Sequence, residues 1–384
     1  MPKVLLKDVV ARIKDKVDKD STNLEYYIGG EHFDYAEVCI TKRGVIQGST
    51  IGPAFHMHFM PGDVLLMSRN PHLRKAGVVD FEGICSDVSY VCRTKDENVL
   101  MQRYLPFVFQ TDHFWEFAER NKKGSTNFFL NWSDFEKYEF DLPGIEEQRK
   151  LTELLWAAQE TKMAYQELLR QSDELVKSQL IEMFGTTTDN LHGYPVGTIS
   201  DVVCDVHYGT SRKASDDGEY TYLRMNNITY GGELDLTDVK RISVPQKELD
   251  GCLVKKGDIL FNRTNSRELV GKTCAFMLDD PMIIAGYIIR LRMNGKVCPE
   301  YLSTFLNLDS SKKMLMALSK GAVGQANINA KELQAIEIVI PPIEVQRRFC
   351  HLVHQTDKSK FELKQSIENV TAMMKSLMQQ DFSN

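Results

Sequence analysis

Three places in this 384-residue chain hold residue types that could do chemistry. VGKT, Val270 to Thr273, resembles the close of a phosphate-binding loop, in which backbone amides cradle phosphates and a lysine reaches them. That pattern needs a glycine five positions before Gly271, where this chain has Ser266. The GKT also runs into CAFML, a strand-like stretch, whereas a phosphate loop opens a helix. The segment reads instead as a strand or hairpin turn with an exposed Lys272. FHMHF sets His56 and His58 two apart, on one face of a strand, where two imidazoles could meet a metal ion. Asp63 lies five residues on, but no third ligand sits at useful spacing, so a surface or core-edge strand is the reading. NPHL (Asn70 to Leu73) and DPMI (Asp280 to Ile283) approach the proline-rich tetrad of base-modifying methyltransferases. Both lack its second proline and its aromatic residue, and neither follows a GxG turn. We find no carboxylate cluster followed by ExK, no nucleophile elbow and no HExxH. The expectation is a chain with no catalytic centre of its own and no metal site.

Polar and basic residues concentrate instead in a few loops. SRNPHLRKAG holds Arg69, Asn70, His72, Arg74 and Lys75. NRTNSRELVGK holds Asn262, Arg263, Thr264, Asn265, Ser266, Arg267 and Lys272. NKKGSTNFF carries Lys122, Lys123 and Asn127, and SKGAVGQANI carries Gln325 and Asn327. HYGTSRKAS supplies Tyr208, Thr210, Ser211, Arg212 and Lys213; LRMNNI supplies Arg224, Asn226 and Asn227; KRGVIQGST supplies Lys42, Arg43 and Gln47. Arg, Asn and Gln can pair two-pronged with guanine or adenine edges, while Lys, Ser and Thr hold phosphates. These loops are the candidate DNA contacts. The net charge of −6 means that such contact must come from local patches rather than a global field.

Composition bounds the rest. Apolar content of 42% with 26% charged residues is ordinary for a globular protein, and the length calls for two domains or more. MPKVLLKDVV has no apolar h-region, so no signal peptide is expected. The longest apolar run, MIIAGYII from Met282 to Ile289, is far short of the ~20 residues of a membrane span. Eight cysteines without a CxxC pair argue against a zinc site and fit a reduced, cytoplasmic chain.

The elements that must position these loops are written twice. LPGIEEQRK (Leu142 to Lys150) returns as PPIEVQRR (Pro341 to Arg348), 198 positions on. KDVV at Lys7 returns as SDVV at Ser200, and PGDVLLMSRN at Pro61 returns as KGDILFNRTN at Lys256. Internal repeats of this length imply two similar modules rather than a solenoid. The globular parts read as β-rich, with strands at Val64–Met67, Asp87–Val91, Ile259–Phe261, Ile283–Arg292 and Ile336–Ile340, and short helices at 103–119 and 300–319. After each PxIExQ phrase the period turns helical. Phe349, Leu352, Thr356, Ser359, Leu363, Ser366, Val370, Met373 and Leu377 alternate by three and four. So do Leu151, Leu154, Ala158, Thr161, Tyr165, Leu168, Ser172, Leu175 and Gln179. Two such helices cannot bury their seams alone, and packing on each other across an internal two-fold would make them antiparallel. The fold class is α+β: two β-rich domains, 1–142 and 186–340, separated by two long antiparallel coiled-coil helices, 143–185 and 341–384.

This arrangement resembles the specificity subunit of type I restriction–modification systems over nearly the whole length. The carriers are the two PxIExQ phrases, the two GD(V/I)L strands, HYGTSRKAS with YTYLRMNNI, and LRKAGVVDFEGICSD. One departure is Gly144, where the family has a second proline, and this loosens the expected helix start. The resemblance implies two target-recognition domains that bind an asymmetric, bipartite double-stranded DNA target. It implies docking of two adenine methyltransferase subunits, with restriction–motor subunits able to join. S-adenosylmethionine, ATP and Mg would then sit on those partners, leaving this chain without a cofactor. A stand-alone coiled-coil structural or regulatory protein is the competing class, and an enzyme built on the HMH or GKT segment is a third. Under the first reading, deleting seven residues, about two helical turns, from one long helix shortens the DNA spacer tolerated without changing the bases read. Methylation of targets with varied spacers measures this.

Overall fold

The computed structural model describes residues 2–190, 192–319 and 326–382. Its contacts divide into two compact units, Met1–Gln166 with Lys364–Asn384, and Glu167–Leu363. The long helices run Ile145–Phe184 and Ile343–Phe382, and each is shared between the units.

The two units repeat one β topology. In the first, an antiparallel sheet has the order Val10–Ile13, Ser89–Thr94, Val64–Met67, Ala76–Val78. In the second, Val203–Tyr208, Ile288–Met293, Asp258–Asn262 and Thr273–Phe276 take the same order. A further four-stranded sheet in each unit contains a parallel central pair, Tyr26–Ile28 with Gly83–Ser86 and Tyr220–Leu223 with Met282–Ile284. Two-stranded ribbons, Lys3–Leu5 with Glu139–Asp141 and Val196–Thr198 with Glu337–Val339, join each unit's first strand to the one that leads into a long helix.

The run Ile283–Arg292, expected as one strand, is two strands that go to different sheets, broken at Ala285 to Tyr287. The run Asp87–Val91 is likewise split, because Asp87 and Val88 turn between Gly83–Ser86 and Ser89–Thr94. The short helices fall at Leu105–Val108 and Asp112–Asn121, and at Pro299–Leu306 and Asp309–Leu318, in the matching places expected.

The repeated motifs have physical explanations. In each GD motif the glycine turns with positive φ, +89° at Gly62 and +92° at Gly257, which a side chain would strain. The next residue, Asp63 or Asp258, is 2% exposed. It accepts from the backbone N–H of Met60 or Lys255, at 2.8 and 2.9 Å, which closes the turn. It also takes a bidentate arginine from the neighbouring strand, Arg93 in one unit and Arg292 in the other.

The glutamine of each PxIExQ phrase is fully buried. Gln148 donates to Val99 O and Pro143 O, both at 2.8 Å, and accepts from Met101 N at 3.0 Å. Gln346 donates to Lys296 O at 3.0 Å and Pro341 O at 2.7 Å, and accepts from Cys298 N at 2.8 Å. One side chain thus ties the first turn of the long helix to the loop ahead of the short helices. Gly144 does not loosen the start: its carbonyl accepts from Glu147 and Gln148 N–H, as Pro342 O accepts from Val345 and Gln346 N–H.

Within each unit the start of one long helix meets the end of the other, so they run antiparallel. In the first, Leu151, Leu155, Trp156 and Ala158 cluster with Val370, Met374, Leu377 and Met378. In the second, Leu180 and Phe184 cluster with Phe349 and Val353, with the Phe184 and Phe349 rings 5.5 Å apart. The buried stripe differs from the expected seam by one residue at alternate positions. Leu155, Lys162, Val353, Lys360 and Met374 are buried, whereas Leu154, Leu168, Leu175 and Met373 are exposed. The reason is the pair of matched lysines. Lys162 reaches Glu37 at 2.8 Å, and Lys360 reaches Glu233 at 2.7 Å and Asp173 at 2.6 Å, so each helix turns its lysine inward towards its own unit.

Replacing Gln346 with Ala leaves the buried groups at Cys298, Lys296 and Pro341 unpaired, and costs its unit about 3 kcal/mol. A lowered urea midpoint at unchanged slope measures it, and Gln148→Ala does the same in the other unit.

Candidate nucleic-acid interface

In each unit, two loops that are far apart in sequence form one hydrogen-bonded platform at the end of a central strand. After Val64–Met67, Ser68 O accepts from Leu130 N at 2.9 Å and Asn70 N donates to Phe128 O at 2.8 Å, with Arg69 bridged to Phe129. After Asp258–Asn262, Arg263 O accepts from Ile328 N at 2.9 Å, and Thr264–Asn265 pairs with Ala326–Asn327. The Thr264 hydroxyl also donates to Asn327 Oδ1 at 2.9 Å.

The first platform exposes Arg69, whose guanidinium lies 5.8 Å from the Phe129 ring centre. Asn70 is half-buried with φ 51°, and Asn127 is exposed at the loop tip. The other candidates here have intramolecular work. Arg74 bonds Asp112 at 2.5 Å. Asp112 also takes Lys375 at 2.8 Å, and the two cations, Lys375 foremost, hold its carboxyl below the usual range. Lys75 donates to Gly30 O at 2.6 Å. Lys122 bonds Glu119 at 2.7 Å and covers the Phe128 ring. Lys123 bonds Asp134 at 2.7 Å and lowers that carboxyl's pKa. Of the more distant candidates, Lys42 pairs with Asp34 and Arg43 stacks on Tyr26.

In the second unit, Arg263 lies over the exposed Tyr208 ring, 4.8 Å from its centre, and the Tyr208 hydroxyl accepts from Ala330 N at 2.9 Å. Gly209 follows because a Cβ there would stand 2.2 Å from Ile284 O. Ser211, Lys213 and Arg267 are exposed, and Arg267 stands beside the carboxylate of Glu268. Arg212 forms a two-pronged pair with Glu248, which lowers that carboxyl's pKa and raises the guanidinium's. Arg224 bonds Asp238 through both its backbone O and its carboxylate, and the exposed Asn226 lies 3.5 Å from the same carboxylate. Asn265 is half-buried and bonds Ser266 N. Gln325 lies outside the described residues.

Three sequence expectations are corrected. Asn262 is fully buried: its amide donates to Met225 O at 3.3 Å and its carbonyl accepts from Thr264 N, so it builds the loop rather than facing outward. Thr210 is buried, and its hydroxyl accepts from Arg212 N. Lys272 is not exposed but buried, donating to Met225 O at 2.6 Å, and burial lowers its pKa. All three misreadings have one cause: polar residues beside a sheet edge satisfy backbone groups, of their own loop for Thr210 and Asn262 and of the Met225 loop for Asn262 and Lys272. Sequence reasoning also missed Tyr287, which is 53% exposed and whose carbonyl accepts from Arg263 N at 2.9 Å. It was hidden inside the apolar run MIIAGYII.

The HMH strand is Phe55–Phe59, where His58 bonds Glu82 at 2.8 Å and His56 lies beside Pro53 O. Neither imidazole joins a ligand cluster among the described residues.

Residues 194–371 match the family model described as "Type I restriction modification DNA specificity domain". The Type I restriction enzyme EcoKI specificity subunit of Escherichia coli (strain K12) is 24% identical over 282 residues, 68% of this chain and 60% of that protein. A putative type I restriction enzyme MjaX specificity subunit of Methanocaldococcus jannaschii is 25% identical over 194 residues, 50% of this chain and 45% of that one. The aligned regions thus span less than two thirds of either relative. Among solved structures, the type I restriction–modification S subunit from M. genitalium superimposes with a TM-score of 0.56 at 13% identity, over 100% of this chain and 96% of that one. A chain from work on assembly and conformational transition of a type I R-M system gives 0.53 at 19% identity, over 99% and 97%. These two share the fold. With the duplicated motifs and the matched specificity domain, they make this chain similar to type I restriction–modification specificity subunits in fold and in the sequence of its second unit.

Proposed function

We propose that the chain is the non-catalytic DNA-reading subunit of a type I restriction–modification complex. It binds an asymmetric bipartite duplex and lends that address to two adenine methyltransferase subunits and to restriction–motor subunits that join them. S-adenosylmethionine, ATP and Mg belong to those partners, and the site of action is the cytoplasm. The observation that carries the reading is the duplicated loop platform, each copy presenting an arginine held over an aromatic ring, Arg69 on Phe129 and Arg263 on Tyr208. A stacked guanidinium is pre-positioned for two-pronged contact with a guanine edge. The two platforms differ in sequence, so each reads its own half-site. Support for docking comes from apolar side chains left exposed on the long helices, such as Leu168, Leu175 and Phe361 in the second unit. Among the described residues no helix is long and apolar enough to cross a membrane.

Arg69→Ala and Arg263→Ala each weaken binding about 10- to 100-fold, the effect of ~1–3 kcal/mol of lost base contact, and each relaxes one half-site only. Methylation of a library randomised in both half-sites, with the methyltransferase present, reads this out. Simultaneous relaxation of both half-sites overturns the modular reading. Arg267→Ala leaves thermal stability unchanged and reduces the salt dependence of binding, whereas Asn262→Ala lowers stability by about 2 kcal/mol through lost buried hydrogen bonds. Thermal melts beside salt-titrated binding curves separate the two.

A further inference from the structure

Cys298 immediately precedes the helix Pro299–Leu306, and Glu300 lies in that helix's first turn. Cys350 and His354 stand one turn apart on the helix Ile343–Phe382, so their side chains share a face. The donor atoms of Cys298, Glu300 and Cys350 all lie within 4.8 Å of one another. His354 Nε2 is 2.7 Å from Glu300 Oε1, which adds a fourth donor. Gln346 fixes the two segments together by accepting from Cys298 N at 2.8 Å. Glu300 and Cys350 are each 8% exposed. A carboxylate this buried needs a cation, and among the described residues its ion-pair partner is His354, charged only when protonated.

The other unit provides an internal comparison. There Gln148 accepts from Met101 N as Gln346 does from Cys298 N, so Met101 corresponds to Cys298 and Arg103 to Glu300. Thr152 corresponds to Cys350 and Trp156 to His354, at the same offset as the PxIExQ phrases. Trp156 Nε1 donates to Arg103 O at 2.9 Å, and the Arg103 guanidinium lies 5.5 Å from the indole. The four positions that hold Met, Arg, Thr and Trp in one copy hold Cys, Glu, Cys and His in the other. Every difference introduces a metal donor.

We propose that Cys298, Glu300, Cys350 and His354 form a binding site for a zinc-class divalent cation, with two thiolates, one imidazole and one carboxylate. Tetrahedral bonds of ~2.0–2.3 Å set donor atoms about 3.3–3.8 Å apart, a separation these side chains reach by small rotations. The site pins the short helix to the long one, the role that the Trp156–Arg103 contact fills in the first unit. Both thiols give up their protons when the ion binds. The missing CxxC spacing does not argue against this site, because its donors come from two segments brought together by Gln346.

The test is metal analysis of the untagged full chain, supplied with zinc under reducing conditions and freed of loose ions by gel filtration. The expected result is about one zinc per chain, lost in the Cys298→Ser, Cys350→Ser double variant and kept in Trp156→Phe. Cobalt exchanged into the wild type gives thiolate charge-transfer and tetrahedral d–d absorption. Zinc-free wild-type protein, or a double variant that keeps its zinc, overturns the proposal. If the double variant does not fold, alkylation of the wild type decides. Zinc protects Cys298 and Cys350 and chelator exposes them; equal labelling, or a Cys298–Cys350 disulfide in the reduced preparation, overturns the proposal.

Discussion

A single buried amide at the start of each long helix holds the architecture together. Gln148 and Gln346 each satisfy three backbone groups, one from their own helix entry and two from the loop ahead of the short helices. An unpaired buried amide is costly, so the side chain and the loop specify each other's position. The helix cannot slide along its unit without breaking several hydrogen bonds at once. The inward lysines add a second tie a few turns on, Lys162 to Glu37 and Lys360 to Glu233. Helix and β-rich part are thereby joined in both units, and the loop platforms inherit a fixed frame.

The loops themselves rest on the neighbouring motif. The Asp–Arg pairs behind Gly62 and Gly257 secure the turn from which the central strand departs. That strand delivers Ser68–Asn70 or Arg263–Asn265 to the platform, where a second loop pairs with it. Buried hydrogen bonds thus serve the scaffold, while the tips keep Arg69, Asn127, Lys213 and Arg267 exposed. These exposed cations form local basic spots on a chain whose net charge is −6.

The duplicated architecture was legible because repeats preserve spacing, and spacing preserves contacts. The GD turns, the helix starts and the short helices all fell where the two copies agreed. Single residues were less legible. The helix seam was off by one at Leu155, Val353 and Met374, because a heptad pattern does not reveal which side a buried lysine will turn inward. Asn262, Thr210 and Lys272 sit in polar loops that read as surface, yet each pairs with a backbone group, Asn262 and Thr210 inside their own loops and Lys272 with Met225 O of another. Composition cannot distinguish a side chain that faces a partner from one that satisfies its own turn. Only the hydrogen-bond accounting of the folded chain does so.

That accounting gives the repeat a further use. A position whose residue is kept in both copies marks scaffold, as with Gln148 and Gln346 or Asp63 and Asp258. A position that changes marks what one unit does alone. Arg69 and Thr264 occupy equivalent places on the two platforms, and the guanidinium that stacks on an aromatic ring is displaced by one residue, to Arg263. The frame is common while the charged tip is moved along it. Two copies of one scaffold can therefore present different hydrogen-bonding faces without any change in how the backbone is held. This is the physical requirement that the proposed reading of two unlike half-sites places on one chain.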